Sequence, residues 1–418
     1  MAGGAVAAWP ATPDTLGAAT HGSRRSKRRE GPVKRSMDGG RAKLAFALAL
    51  AVVTLLAVCA TATAREAAGG RGDAAAETIL TLRTMGDHDM LWLVSNEGTA
   101  TAAGELPGVA ETGAASPDGT YAAYLPVGGK PFVWIGHGPD GVKTIDLQPA
   151  GIKTVTGLTW TSETQLLVSG TSKANNASGY TDKLYTVDVT TGAVASFRNL
   201  SGTEPNASFD TGKIVYVKYK KLKADPKDPK VAHYRESLML TSVDGLGAGM
   251  ALDEDEYYLT SDYRAFAAPQ IAPGGFWLAY GTTGSDVSVT YTVIYLDTEG
   301  YIPWTTIWMP TPLAIAWAPS SPLLTLGGAA VGPGDLDAAM YVIDPDAGAT
   351  GRTSRDLFTK ASIEWVMDMD WSLGGLLVVD GLPKDFDTSG ATHVLLIDSR
   401  DLSKLTDLGE GHLSLWVR

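Results

Sequence analysis

The 418 residues are enough to bury a large core, and a chain with 44% hydrophobic residues, only 19% charge and 48 glycines reads as a globular protein rich in turns. The net charge of −12 is unevenly spread: residues 1–43 hold nine Lys/Arg against three acids, which leaves −18 on the remainder. So acidic a body argues against nucleic acid as a partner, because phosphate contacts need Lys and Arg. The one cysteine, Cys59, lies in an apolar N-terminal stretch, so the body has no disulfide and no thiolate metal site.

Residues 1–43 are rich in Gly, Ala, Ser and Arg without apolar periodicity and are expected to be a disordered basic segment. Leu44 to Ala60 is an apolar run of 17 residues, Thr54 being its polar exception. As a helix it would be about 25 Å long, the short limit of a bilayer span. Ala62-Thr63-Ala64 before Arg65 resembles a signal-peptidase site. Residues 44–62 are therefore read either as the apolar region of a signal peptide or as an uncleaved transmembrane helix. Both readings leave the basic segment in the cytoplasm and put everything after it outside. The basic lead is long for a signal peptide, and Met37 would open a more typical one. A lipoprotein site at Cys59 is disfavoured, because Val58 stands where a small residue is wanted. Residues 63–77 form a linker of Gly, Ala and charges, in which Arg71-Gly72-Asp73 is read as chance.

From Thr78 onward, short β-type runs alternate with turn residues. An apolar residue, often aromatic, precedes a turn at Ala115–Ser116, Trp160–Thr161, Phe209–Asp210, Ile271–Ala272, Trp317–Ala318, Trp371–Ser372 and Trp416–Val417. The spacings are 45, 49, 62, 46, 54 and 45 residues. A second motif keeps phase with the first: an apolar strand ending in Asp at Leu184–Asp188, Val293–Asp297, Met340–Asp344 and Val394–Asp398. A period near fifty with four short strands per unit predicts an all-β fold, a β-propeller. The last copy supplies a single strand, His412–Trp416, while Thr78–Thr84, Met90–Ser95 and Thr99–Leu106 supply three more. Pairing the two ends would complete a blade and leave no exposed edge. The prediction is seven blades over residues 78–418, with six or eight as fallbacks.

Ser116-Pro117-Asp118-Gly119, followed by an apolar strand and then by one ending in Asp, resembles the TolB-type, WD40-like propeller repeat. The resemblance covers about residues 78–418, and only this first turn matches the pattern in full. The copies at Thr161 and Asp210 are degenerate, which makes blades 2 and 3 the weakest part of the prediction. The resemblance implies an exported or periplasmic binding or scaffold protein. Some such propellers are joined to a hydrolase domain, for which this chain has no room.

Six histidines occur, none in a His-x-His or His-Glu-x-x-His pair, and there is no Gly-x-Ser-x-Gly elbow or Gly-rich phosphate loop. No catalytic residue, metal ligand or cofactor is assigned. Asp368 and Asp370 alternate with Met367 and Met369, which puts both acids on one face of a predicted inner strand lining the channel. They would meet channel water, a cation or a basic ligand. Asp253-Glu254-Asp255-Glu256 with Asp262 reads as a solvated loop, or as a calcium site without the usual ligand spacing. Lys218, Lys220, Lys221 and Lys223 begin a basic, Pro-containing stretch in the longest repeat, read as an insertion loop of blade 3 able to dock on an acidic partner or anionic lipid. Tyr301, Trp304 and Trp308 are expected in the core between blades. Asn176, Asn199 and Asn206 stand in Asn-x-Ser sequons. The leading functional expectation is a membrane-anchored or secreted, monomeric propeller that binds an envelope or exported protein. The alternative is a propeller hydrolase or lyase acting at the channel mouth.

Overall fold

The computed structural model describes residues 77–418, apart from 173–181, 224–231, 246–248, 260–265, 284–288, 298–299, 310, 332–335, 347–348, 353–354 and 385–390. Contacts divide the chain into Met1–Ala74 and Ala75–Arg418, and every described residue lies in the second unit. The expectations for residues 1–43, 44–62 and most of 63–77 fall outside the described residues.

Seven antiparallel sheets of four strands each form the ring. From inner to outer strand, blade 1 is Ala110–Ala115, Ala122–Pro126, Phe132–His137 and Lys143–Asp146. Blade 2 is Thr154–Trp160, Gln165–Thr171, Lys183–Asp188 and Val194–Ser201, and blade 3 is Thr203–Ser208, Lys213–Lys221, Ala232–Ser242 and Met250–Leu259. Blade 4 is Ala267–Ile271, Trp277–Thr283, Val289–Asp297 and Gly300–Met309, and blade 5 is Thr311–Trp317, Leu324–Val331, Leu336–Asp344 and Ala349–Arg352. Blade 6 is Ile363–Trp371, Leu376–Pro383, His393–Asp398 and Thr406–Glu410. Blade 7 takes its inner strand, His412–Val417, from the C-terminus and its other three, Thr78–Met85, His88–Val94 and Ala100–Glu105, from the start of the ring.

The middle strands are apolar on both faces because both faces are covered. Leu166-Leu167-Val168, Ile214 to Val217 and Leu377-Val378-Val379 are all fully buried. Their side chains alternate between the two neighbouring seams: Leu167 joins the cluster shared with blade 3, while Leu166 and Val168 join the one shared with blade 1. The buried apolar side chains form seven clusters, one at each seam of the ring. A blade has no core of its own and is held only by burial against its neighbours.

The turns keep their form by side-chain hydrogen bonding. In the best copy Ser116 Oγ donates to Asp118 Oδ1 at 2.6 Å and accepts from the Tyr121 N–H, while Gly119 adopts a φ of 73°. The degenerate copies close equally well. Ser162 Oγ accepts the Gln165 N–H, and Ser208 Oγ donates to Asp210 Oδ1. Blades 2 and 3 are complete because the turn needs a short oxygen-bearing side chain, which Ser and Asp supply without the Pro-Asp-Gly sequence.

A feature absent from the sequence reading is a register slip between inner and second strand in every blade. The extra residue bends the inner strand near its entry, as bulges do where strands crowd a ring. In blade 7 it is Leu413, with a φ of 47°.

The ring closes as the pattern predicts. Ile79 pairs with Trp416 and Leu80 with Leu415, and Trp416 is buried in the cluster at the seam of blades 6 and 7. Trp416→Ala is expected to cost about 3–5 kcal/mol, read as a lower midpoint in urea unfolding. The conservative Trp416→Phe should lose less than half of that.

Candidate functional site

The turn-side end of the axis is a cavity of about 370 Å³ walled by all seven inner strands. Trp160, Gln270 and Trp317 are in the wall, and Phe209 stands at its rim. Two indoles knit neighbouring inner strands: Trp160 Nε1 donates to Ala114 O at 3.0 Å and Trp317 Nε1 to Gln270 O at 2.9 Å. Blade 3 meets blade 4 through side-chain amides, with Asn206 Nδ2 donating to Gln270 Oε1 and Asn206 Oδ1 accepting the Ile271 N–H. The Asn206 sequon is thus engaged in a seam. On the turns at this end, Phe209, Phe276 and Leu373 are 45%, 54% and 43% exposed, Phe209 lining the cavity and Phe276 stacked on Tyr295.

Among the described residues, Asp368 and Asp370 are the charged ones in the wall of this cavity. Their channel-facing placement follows from strand periodicity. Their bonding does not. Asp370 Oδ2 accepts the Trp416 N–H at 2.8 Å and Oδ1 accepts the Trp371 N–H, so the carboxylate reaches from blade 6 to the closing strand. Asp368 sits opposite Asp380 in the ladder of blade 6. Asp380, 2% exposed, accepts the Ser414 N–H at 2.9 Å and the Ser414 hydroxyl at 2.6 Å. Two carboxylates of blade 6 therefore fasten the last strand of the chain.

Burial pushes the Asp370 and Asp380 carboxyls up to about 7 and that of Asp368 up to about 6. The Asp368 charge raises both of its neighbours further, and Glu77 adds to the rise at Asp370. Asp89 shows the opposite balance. Burial raises it, but hydrogen bonds from His412, the Ala110 N–H and Thr84 outweigh burial and hold it below the usual carboxylate range. It joins blade 7 to the first strand of blade 1. Asp380 and Asp89 escaped the sequence reading, although an acid inside the apolar run Leu376–Asp380 was a usable signal.

The other expectations fare differently. Asp253–Glu256 is not a loop but part of the outer strand of blade 3. Its acids are compatible with a strand because one edge is wet and the ladder supplies partners: Glu256 lies opposite Arg235 and pairs with it, and Ser237 Oγ donates to Glu254. Asp262 falls outside the described residues, and among those described no group of three His, Cys, Asp or Glu is placed to hold a metal. Lys218, Lys220 and Lys221 likewise belong to a strand, Lys213–Lys221, with Lys223 just beyond it. The long repeat is lengthened by an extended hairpin as well as by residues 224–231, which are outside the description. Lys220, Lys221 and Lys223 are exposed. Tyr301, Trp304 and Trp308 lie on the outer strand of blade 4, with their side chains outside the description, as is Asn176. Asn199 is on the outer strand of blade 2.

The described histidines lie on blades 1, 3, 6 and 7, and none is in the wall of the axial cavity. At the opposite end His412 Nε2 is 3.3 Å from Asp89, but the Ser414 hydroxyl two residues on donates to Asp380 and not to this imidazole. Thr84 Oγ1 lies 3.2 Å from the same imidazole nitrogen and donates to Asp89 Oδ1 at 2.7 Å, so the three side chains form one hydrogen-bonded network.

No family model matches the chain, and no curated protein matches it. It is similar to several solved structures. TolB from Acinetobacter baumannii is 14% identical, with 68% of this chain and 65% of that one covered and a TM-score of 0.39. The β-propeller domain of the Trilobed protease from Pyrococcus furiosus is 12% identical, with 61% and 70% covered and a TM-score of 0.37. An uncharacterized protein from Listeria monocytogenes EGD-e is 11% identical, with 80% and 91% covered and a TM-score of 0.43. The chain thus spans just under two thirds of the Acinetobacter TolB. With seven four-stranded sheets among the described residues, the fold is a seven-bladed β-propeller. No helix among the described residues is long and apolar enough to cross a membrane.

The carboxylates carry a pH signature. Asp368, Asp370 and Asp380 titrate higher in the folded chain than in the unfolded one, so the unfolded state binds fewer protons between about pH 4 and 7 and stability falls as pH rises through that window. The melting temperature should be higher at pH 5 than at pH 8. Asp380→Asn keeps an acceptor for the Ser414 N–H without the charge and should reduce that difference by about a third or more; an unchanged difference would contradict the assignment.

Proposed function

We propose that the protein is a non-enzymatic binding scaffold that works outside the cytoplasm and presents the turn-side rim of its ring to an exported or envelope protein. The observation that carries this reading is the character of the cavity mouth. Phe209, Phe276 and Leu373 are exposed on turns at this end of the ring, Phe209 in the cavity wall itself, and the charged groups of that wall are Asp368 and Asp370, the second bonded to the closing strand. Large apolar side chains set in turns on a rigid ring suit protein contact, where aromatic anchors dominate binding energy. An enzyme at this mouth would want an acid, a base and an oxyanion donor converging there, and the wall offers no His, Lys or Arg. The extracytoplasmic placement rests on the apolar run Leu44–Ala60 and the small residues after it, which serve as an anchor if uncleaved. Lys220, Lys221 and Lys223 give the same scaffold a second, electrostatic contact for an acidic partner or anionic lipid.

The test is quantitative capture from envelope extract by the full chain and by a Phe209→Ser, Phe276→Ser double variant. A protein retained by the first should be depleted about tenfold or more by the second. Equal retention, or turnover of an added substrate that survives the double substitution, would favour the enzymatic alternative.

A further inference from the structure

A second cavity, of about 540 Å³, opens between blades 6 and 7 at the end of the ring opposite the turns. Its wall includes Leu82, Arg83, Met85, Trp92, Thr392 and His412. The volume is within the range of small-molecule sites. What sets it apart is Arg83. The guanidinium lies 4.7 Å above the Trp92 ring, and its Nε donates to Glu410 O at 2.8 Å. Stacking and that single bond fix the plane of the group while its two terminal NH₂ groups have no acceptor among the described residues, and Arg83 has no ion pair there. An immobilised guanidinium with a free bidentate edge matches the geometry of a carboxylate.

A further observation points the same way. Met85, on the same face of its strand as Arg83, is 58% exposed, and with the Trp92 ring it gives the cavity an apolar side. Glu410 also lines the wall, and its charge offsets part of that of Arg83, which disfavours a dianionic phosphate more than a monoanion.

The geometry points to a ligand site here for a monocarboxylate with an apolar body, its carboxylate seated on the free edge of Arg83 and its body against Met85 and Trp92. The site is separate from the rim and does not depend on what the rim binds. The carboxylate belongs either to a free organic acid or to the C-terminus of a chain ending in an apolar residue.

Isothermal titration of the full chain with phenylacetate and with N-acetylphenylalanine distinguishes the two sources, and phenylacetamide is the uncharged control. Binding of phenylacetate assigns a free acid, and binding of N-acetylphenylalanine alone assigns a chain terminus. In either case Arg83→Lys, which keeps the charge but loses the fork, should weaken the interaction about tenfold. Met85→Glu, at an exposed position where folding is not at stake, should weaken it by about the same factor through like-charge repulsion. Failure of both acids to bind at millimolar concentration, equal binding of phenylacetamide, or unchanged affinity in both variants would overturn the assignment.

Discussion

Pairing of the last strand with the first is the constraint on which the molecule depends. The chain runs continuously across every seam, but one blade of the seven, blade 7, is assembled from both ends of the ring. There the ring relies on the ladder between His412–Val417 and Thr78–Met85, on the packing of Trp416, and on carboxylates that reach across. An open ring would expose two sheet edges and strip the apolar faces of blades 6 and 7 of their partners. Closure converts a set of marginal four-stranded sheets into a single cooperative object.

The chemistry of the closure explains an otherwise odd distribution of charge. Asp370 and Asp380 sit where a propeller seam is normally apolar, and each spends its lone pairs on backbone N–H groups of the strand that has to be held. A bulged strand has amides out of register with its neighbour, and an acceptor side chain from the next blade can satisfy them. Asp89 and Glu236 do the same at other seams, accepting the Ala110 and Phe266 N–H groups. Acids that a sequence reader would assign to a ligand are in large part internal fastenings. The two indoles of the closing region differ from their counterparts accordingly: Trp160 and Trp317 each find a carbonyl on the preceding blade, whereas the Trp371 and Trp416 N–H groups find no acceptor.

The two proposed sites lie on opposite faces. The turn side carries exposed apolar side chains on its turns, proposed as a contact for another protein. The opposite side, at the seam of blades 6 and 7, has an arginine held in place whose terminal NH₂ groups find no acceptor among the described residues. A ring whose blades differ so much in side chains while sharing one backbone plan can carry unrelated sites without altering its core.

Much of the architecture was legible because it is written as repetition. Recurrent Trp before a turn, an apolar strand ending in Asp in fixed phase, and a solitary strand at the C-terminus matched by three near Thr78 pointed to seven blades, with six or eight as fallbacks, and to closure by pairing the two ends. Period-two alternation likewise placed Asp368 and Asp370 on one face. Tertiary structure alone decided what those acids touch, since the Trp416 N–H is 46 residues away from Asp370 along the chain. It also turned the acidic run at Asp253 and the lysines at Lys218 from loops into the outer strands of one three-stranded meander, where Glu256 meets Arg235 across the last pairing. Local pattern specifies strands and turns; partners across a seam are set by the register of separate blades, which no local pattern encodes.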